Sequence, residues 1–218
     1  MNPRKQGSNP SSNPIPPSNP SSFRNNQDPY VQRILEAARA LFTENGLEGV
    51  SMYGIAKRAG IGQGSLYRRF TDKGEICSAL LSTSSERFLT RLEQELQTTL
   101  ETDSSIEELR SSIEQVVDFI DQHAELLQMI KSEFTGKKQL TQFEHPIFQR
   151  LNAVMAERLR RVADDGKLIA IDPHFAATSL IAVLSPDLYL YQQKLHGSGK
   201  KDILEGILTL FVTGLQRS

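Results

Sequence analysis

From Asp28 onward, apolar residues recur every three to four positions, the spacing of an α-helix with one buried face. Asp28-Pro29 is a helix cap followed by Pro at the first helical position. Behind it Ile34, Ala38, Leu41 and Phe42 share one face, and Asn45-Gly46 ends the helix. The second helix starts at Ser51, turns Ile55, Ala56 and Ala59 inward, and breaks at Gly60. A third, short helix spans about Gln63–Phe70. The fourth starts at Asp72, with Glu75 completing a capping box, and carries Ile76, Leu80, Phe88, Leu92 and Leu96.

The pattern continues to the end of the chain. Ser104 and Glu107 box a fifth helix with Leu109, Ile113, Val116 and Ile120. A break is expected near His123, and a sixth short helix carries Leu126, Leu127 and Ile130. Residues 136–144 read as a polar loop. Pro146 opens a seventh helix, closed by Gly166. Asp172-Pro173 opens an eighth, with a kink at Pro186. Asp202 and Glu205 box a ninth, running to about Gln216. No segment alternates as a strand does. The expected class is all-α, with about nine helices in two parts: a three-helix N-terminal domain over 29–75 and a larger helical domain over 76–218.

Residues 1–28 form a separate regime, with Asn-Pro at 9–10, 13–14 and 19–20 and Ser-Ser at 11–12 and 21–22. Such a segment buries too little to offset its ordering entropy, so it reads as a disordered tail. The net charge of −1 is unevenly spread, at +4 over residues 1–76 and −5 over 77–218. A basic front suits a polyanion there. The single cysteine, Cys77, cannot form an internal disulfide, and no Cys/His cluster suggests a metal. No apolar run is long enough for a membrane span or a signal peptide, so the expected location is cytoplasmic, on the nucleoid. No cofactor is expected.

Two short helices joined by a glycine turn are the elements of a helix-turn-helix. In the second of them only Leu66 and Phe70 point inward. Gln63, Ser65, Tyr67, Arg68 and Arg69 are left outside, and these side-chain types read base edges or hold phosphates. Gly64 lets the helix approach a groove closely. The plain alternative is a small bundle with a solvated basic face. Arg68 and Arg69 lie about 100° apart on a helix, so they cannot share one role. One of them reads a base and the other neutralises phosphate; the sequence leaves open which.

The stretch from Arg33 to Leu81 resembles the N-terminal domain of the TetR family of transcriptional regulators. The residues that carry the likeness include Ile34-Leu35-Glu36-Ala37-Ala38, Asn45-Gly46, Ile55-Ala56, Ala59-Gly60, Gly64-Ser65-Leu66-Tyr67 and Phe70. The resemblance implies that Ser51 caps helix two and contacts phosphate, and that Tyr53 faces the duplex. It places Gln63 and Ser65 at base edges, Tyr67 on a backbone phosphate, Arg69 at a further contact and Lys73 on phosphate. Gly74 departs from the family pattern.

The resemblance also implies a C-terminal part that binds a small molecule and forms a homodimer on palindromic double-stranded DNA, acting as a repressor. The apolar last helix agrees with a dimer face at Ile203, Ile207, Leu208, Phe211 and Leu215. A lining for an apolar or aromatic effector is expected from Phe88, Phe119, His123, Met129, Phe148 and Tyr189. Two alternatives remain: control by a protein partner, or no effector at all. An enzyme is a distant third. The four histidines are scattered, and no HExxH, GxSxG, P-loop or dinucleotide fingerprint occurs.

Overall fold

The computed structural model describes residues 28–98, 105–135 and 145–217. The tail, the Ser104 cap and the loop at 136–144 lie outside the described residues, except for Asp28. Within them the chain forms nine α-helices and no strand. They are α1 (Pro29–Asn45), α2 (Met52–Arg58), α3 (Gln63–Tyr67), α4 (Lys73–Thr98), α5 (Ser105–Thr135), α6 (Pro146–Asp164), α7 (Pro173–Val183), α8 (Pro186–His196) and α9 (Lys200–Phe211).

The count of nine conceals two corrections that cancel. The expected break near His123 is absent, and α5 runs through it without interruption. Ala124, Met129 and Ile130 are buried past that point, so the apolar stripe carries on and holds one helix. The expected kink at Pro186 is instead a full stop. Leu184 caps the end of α7, and Ser185 then caps α8 by accepting from Leu188 N–H at 3.4 Å, with Pro186 in its first turn. Proline here starts a helix rather than bending one.

Other ends follow the expected caps. Asp28 accepts from Tyr30 N–H at 2.8 Å, and Asp172 from His174 N–H at 3.0 Å. Asp72 accepts from Glu75 N–H at 2.9 Å. The Glu75 carboxylate returns the bond one residue early, to Thr71 N–H at 2.7 Å. The last helix starts sooner than its expected cap. Gly199 precedes it, and Asp202 lies inside the first turn, accepting from Gly199 N–H at 2.9 Å. It also ends sooner, at Phe211, before a 3-10 turn over Thr213–Leu215.

Three apolar clusters organise the molecule. The first helices close over Ile34, Ala38, Ile55, Ala56, Leu66 and Phe70, with Ile76 of α4 completing that core. A larger core fills the space among α4–α9, including Leu89, Leu109, Met155, Leu159, Leu180 and Ile207. A small third cluster, of Leu47, Cys77, Leu81, Met129 and Ile130, joins the two. We call the first part the head and the second the body.

Candidate nucleic-acid interface

The head presents α3 on a short, tightly specified turn. Ser51 caps α2 by accepting from Gly54 N–H at 3.1 Å. At the other end of α2, Gly60 takes φ +64°. Gly60 N–H donates to Lys57 O at 3.2 Å and Ile61 N–H to Ala56 O at 3.0 Å. This paired closure needs a left-handed residue, which glycine adopts without steric cost. Arg33 of α1 donates to Ala59 O at 2.6 Å across the same turn. A Cβ on Gly60 would meet that guanidinium at 3.0 Å.

The turn delivers α3 with Leu66 and Phe70 buried and the opposite face bare. Regular α-helix stops at Tyr67, shorter than the expected span to Phe70, although Phe70 N–H still donates to Leu66 O at 2.9 Å. Gln63, Gly64, Tyr67 and Arg68 are exposed, and Ser65 is half-buried. Tyr53, on α2, is 59% exposed and Tyr67 50%. Large aromatic rings with hydroxyl tips are seldom left so open unless something else covers them.

The two arginines separate clearly. Arg68 is exposed, and its guanidinium donates to Ser65 Oγ at 3.2 Å. Arg69 is turned back onto the start of α1. It pairs with Asp28 at 3.2 Å and lies over the Tyr30 ring at 5.2 Å. The guanidinium of Arg33 approaches the same ring at 5.8 Å. The Tyr30 N–H bond, first, and Arg69, second among its partners, hold the Asp28 carboxyl below its ordinary range against the opposing effect of partial burial. This clamp of Asp28, Tyr30, Arg33 and Arg69 was not legible in the sequence, where Asp28 read only as a cap. Its one signal is an exposed tyrosine directly after the capping pair.

Lys73 is also engaged within the protein. Its ammonium donates to Leu47 O at 2.9 Å, tying the start of α4 to the loop after α1. An ammonium has three donors, so this bond leaves two. Gly74, beside it, is buried.

In the body, three of the six residues expected to line an effector site meet directly. Phe88 and Phe119 stack at 4.4 Å, and His123 meets Phe119 edge-on at 4.7 Å. Met129 belongs to the joining cluster, while Phe148 packs on the body core from the α6 side. Tyr189 is buried, and its hydroxyl donates to Asp121. Burial, followed by that carboxylate, pushes its phenol well above the ordinary range. The five residues expected at a dimer face pack against their own chain's core. The apolar side chains left most open on the last two helices are Leu195, Leu210 and Tyr191, at 67%, 62% and 50%.

Comparison with known proteins adds to this geometry. Residues 34–80 match the family model described as bacterial regulatory proteins, tetR family. A stretch of 122 residues, 55% of this chain, is 35% identical to an HTH-type transcriptional regulator of Staphylococcus aureus. The match spans 62% of that relative's length. Among solved structures, the Thermus thermophilus FadR repressor in complex with lauroyl-CoA is 20% identical. That match covers 86% of this chain and 96% of FadR, with a TM-score of 0.65. SmeT, the repressor of the Stenotrophomonas maltophilia multidrug efflux pump SmeDEF, is 23% identical. It covers 90% of this chain and 93% of its own, with a TM-score of 0.58. The structural likenesses speak for the fold, and the family-model match falls on the stretch from α1 into α4. Residues 34–80 are thus similar to the N-terminal domain of the tetR family of bacterial regulatory proteins.

Proposed function

We propose that the chain is a DNA-binding transcriptional regulator, a repressor that binds a palindromic operator as a homodimer and is released by a small apolar or aromatic molecule. The observation that carries the reading is α3. Its inward residues are fully used in the head core, and Gln63, Gly64, Tyr67 and Arg68 are open on the other side. A helix of this kind enters the major groove, with Gln63 and Ser65 at base edges and Tyr67 on phosphate. Ser51 and Tyr53, at the start of α2, reach the flanking backbone, and Lys73 adds charge there.

Arg68 takes the base-reading role, because an exposed guanidinium can align with the two acceptors of guanine. Arg69 acts on DNA at one remove, by fixing the angle of α3 against α1. Dimerisation through the open residues of α8 and α9, with Leu210 and Leu195 at its centre, pairs two heads. Their spacing then follows one turn of DNA, about 34–36 Å or a multiple. Lauroyl-CoA in Thermus thermophilus FadR supports a small-molecule effector here. Met129, which lies in the joining cluster and not with the stacked Phe88, Phe119 and His123, favours a second reading, in which a protein partner or no effector controls the body.

The test is selection of bound DNA from a random pool by the full chain. A palindrome should be enriched. Arg68→Ala should relax the preference at one position in each half-site and cost about 1–3 kcal/mol of affinity. Arg69→Ala should weaken binding to all sequences alike. A pool that stays random counts against the whole proposal, and a dimer absent from sedimentation at micromolar concentration counts against the paired heads.

A further inference from the structure

All three tyrosines of the head stand open to solvent. Tyr53 and Tyr67 belong to the proposed reading face. Tyr30 is 51% exposed and stands in the first turn of α1, outside the helix-turn-helix. Among the described residues nothing accepts from its hydroxyl. It therefore shares the openness of the other two tyrosines and, like them, offers a donor at the tip of an apolar ring.

Two guanidiniums lie over that ring, Arg69 at 5.2 Å and Arg33 at 5.8 Å. Their charges are used differently. Arg69 pairs with Asp28 at 3.2 Å, so its charge is balanced within the protein. Among the described residues no carboxylate pairs with Arg33. Its Nη2 donates to Ala59 O at 2.6 Å and to Gly60 O at 3.4 Å, both neutral acceptors. A guanidinium has five donors, and Nη1 and Nε of Arg33 keep theirs for an acceptor outside the protein. Two guanidiniums and one carboxylate leave the cluster with one net positive charge, and Arg33 is its exposed carrier. The start of the helix adds no attraction of its own. Pro29 has no N–H, and Asp28 accepts from those of Tyr30 and Val31.

Tyr30 and Arg33 are three residues apart on α1, so they share a face. The pair of Arg69 with Asp28 sets the start of α1 against the end of α3, two residues past Tyr67. We propose that Tyr30 and Arg33 hold a DNA phosphate just outside the bases met by α3. The Tyr30 hydroxyl and the open edge of Arg33 donate to its oxygens. The assignment rests on the DNA-binding reading and adds a backbone contact to it. Arg33 also bonds the carbonyls that end α2, so one side chain links that phosphate to the turn that presents α3. The contact sets the register of α3 in the groove and reads no base.

The test is the affinity of the full chain for the selected operator, with single flanking phosphates replaced by neutral methylphosphonates. One flanking replacement per half-site should weaken the native chain and should cost Tyr30→Phe and Arg33→Gln markedly less. On the unmodified operator, Tyr30→Phe keeps the ring and should bind about tenfold more weakly per half-site, the lower range for a hydrogen bond to a charged group. Its selected-sequence profile should stay as it is. Arg33→Gln should reduce the slope of log affinity against log salt by about one per half-site. Its bonds to the turn also serve the fold, so Tyr30→Phe carries the test if Arg33→Gln loses helix content.

A clamp that only holds the head together would lower the melting temperature and leave every methylphosphonate equally costly to native chain and variants. That pattern overturns the contact, as does a Tyr30→Phe chain that binds as tightly as the native one. A native chain that binds no DNA sinks the regulator reading and the contact with it. A native chain that binds its operator while the variants match it at every flanking position sinks the contact alone.

Discussion

Head and body are built from the same element but solve burial differently. The head core is small and uses alanines at the helix contacts, with Ala37, Ala38, Ala56 and Ala59 among its twelve buried residues. Its polar groups stay at the rim, in caps and in the clamp on Tyr30. The body buries polarity. Arg158 is 3% exposed and paired with Glu108, whose side chain is 11% exposed. Ser85 Oγ, Ser112 Oγ, Gln115 Oε1 and Arg158 Nε are buried without a hydrogen-bond partner, and all four lie in α4–α6. Native interiors leave few such atoms, because each costs about 1–3 kcal/mol. The difference teaches where each part is rigid. The head is finished as a shape, and the body retains polar atoms that a rearrangement of α4–α6 could satisfy.

The sharpest way to break this contrast is at Arg158. Arg158→Met takes away the buried cation that Glu108 faces and should cost about 3–5 kcal/mol in chemical denaturation. Arg158→Met with Glu108→Met should recover most of it, since an apolar pair of similar volume replaces the ions. A double variant as unstable as the single one would mean that the pair itself organises the body. In the head, Leu66→Ala empties a fully buried site and should cost about 2–5 kcal/mol. Hydrogen exchange should show the loss in α1–α3, and uniform loss across the body would erase the distinction between the two parts.

Smaller effects sharpen the picture. Ser51→Ala removes one cap and should cost about 1 kcal/mol, read from thermal melts. The smallest concerns the clamp. The Asp28 carboxyl is held below its ordinary value of 3.8, so its contribution is complete above that pH and is lost as pH falls through the lowered folded value. The melting difference between the native chain and Asp28→Asn should therefore shrink on acidification below pH 4, and a constant difference would remove the ionised clamp from the account.

Local chemistry explains which features were legible from the residues. Asp28-Pro29, Ser51, Gly60 and Asp172-Pro173 act on backbone groups within a few positions, so their meaning does not depend on the rest of the fold. Ser185-Pro186 belongs to the same grammar, and expecting a kink there let the apolar pattern outweigh the cap. The opposite error at His123 gave a polar residue more weight than the stripe around it. The partners of Arg69 and Lys73 are of another kind. Asp28 lies 41 residues from Arg69, and Leu47 lies 26 from Lys73. Such pairs exist only after the helices dock, and no local rule announces them. The exposed face of α3 was readable because a helix with two inward residues must leave the others outside.

One modest contact near residue 216 has a consequence for how the body opens. Leu168 and Gln216 form an isolated antiparallel bridge, with Ile169 N–H on Leu215 O and Arg217 N–H on Lys167 O, both at 2.9 Å. Those bonds close a ring of chain that contains α7, α8 and α9. Opening any of the three while the bridge holds gains only the freedom of a tethered loop. The three helices should thus exchange their amide hydrogens as one cooperative unit, with the amides of Ile169 and Arg217 reporting the moment the ring comes undone.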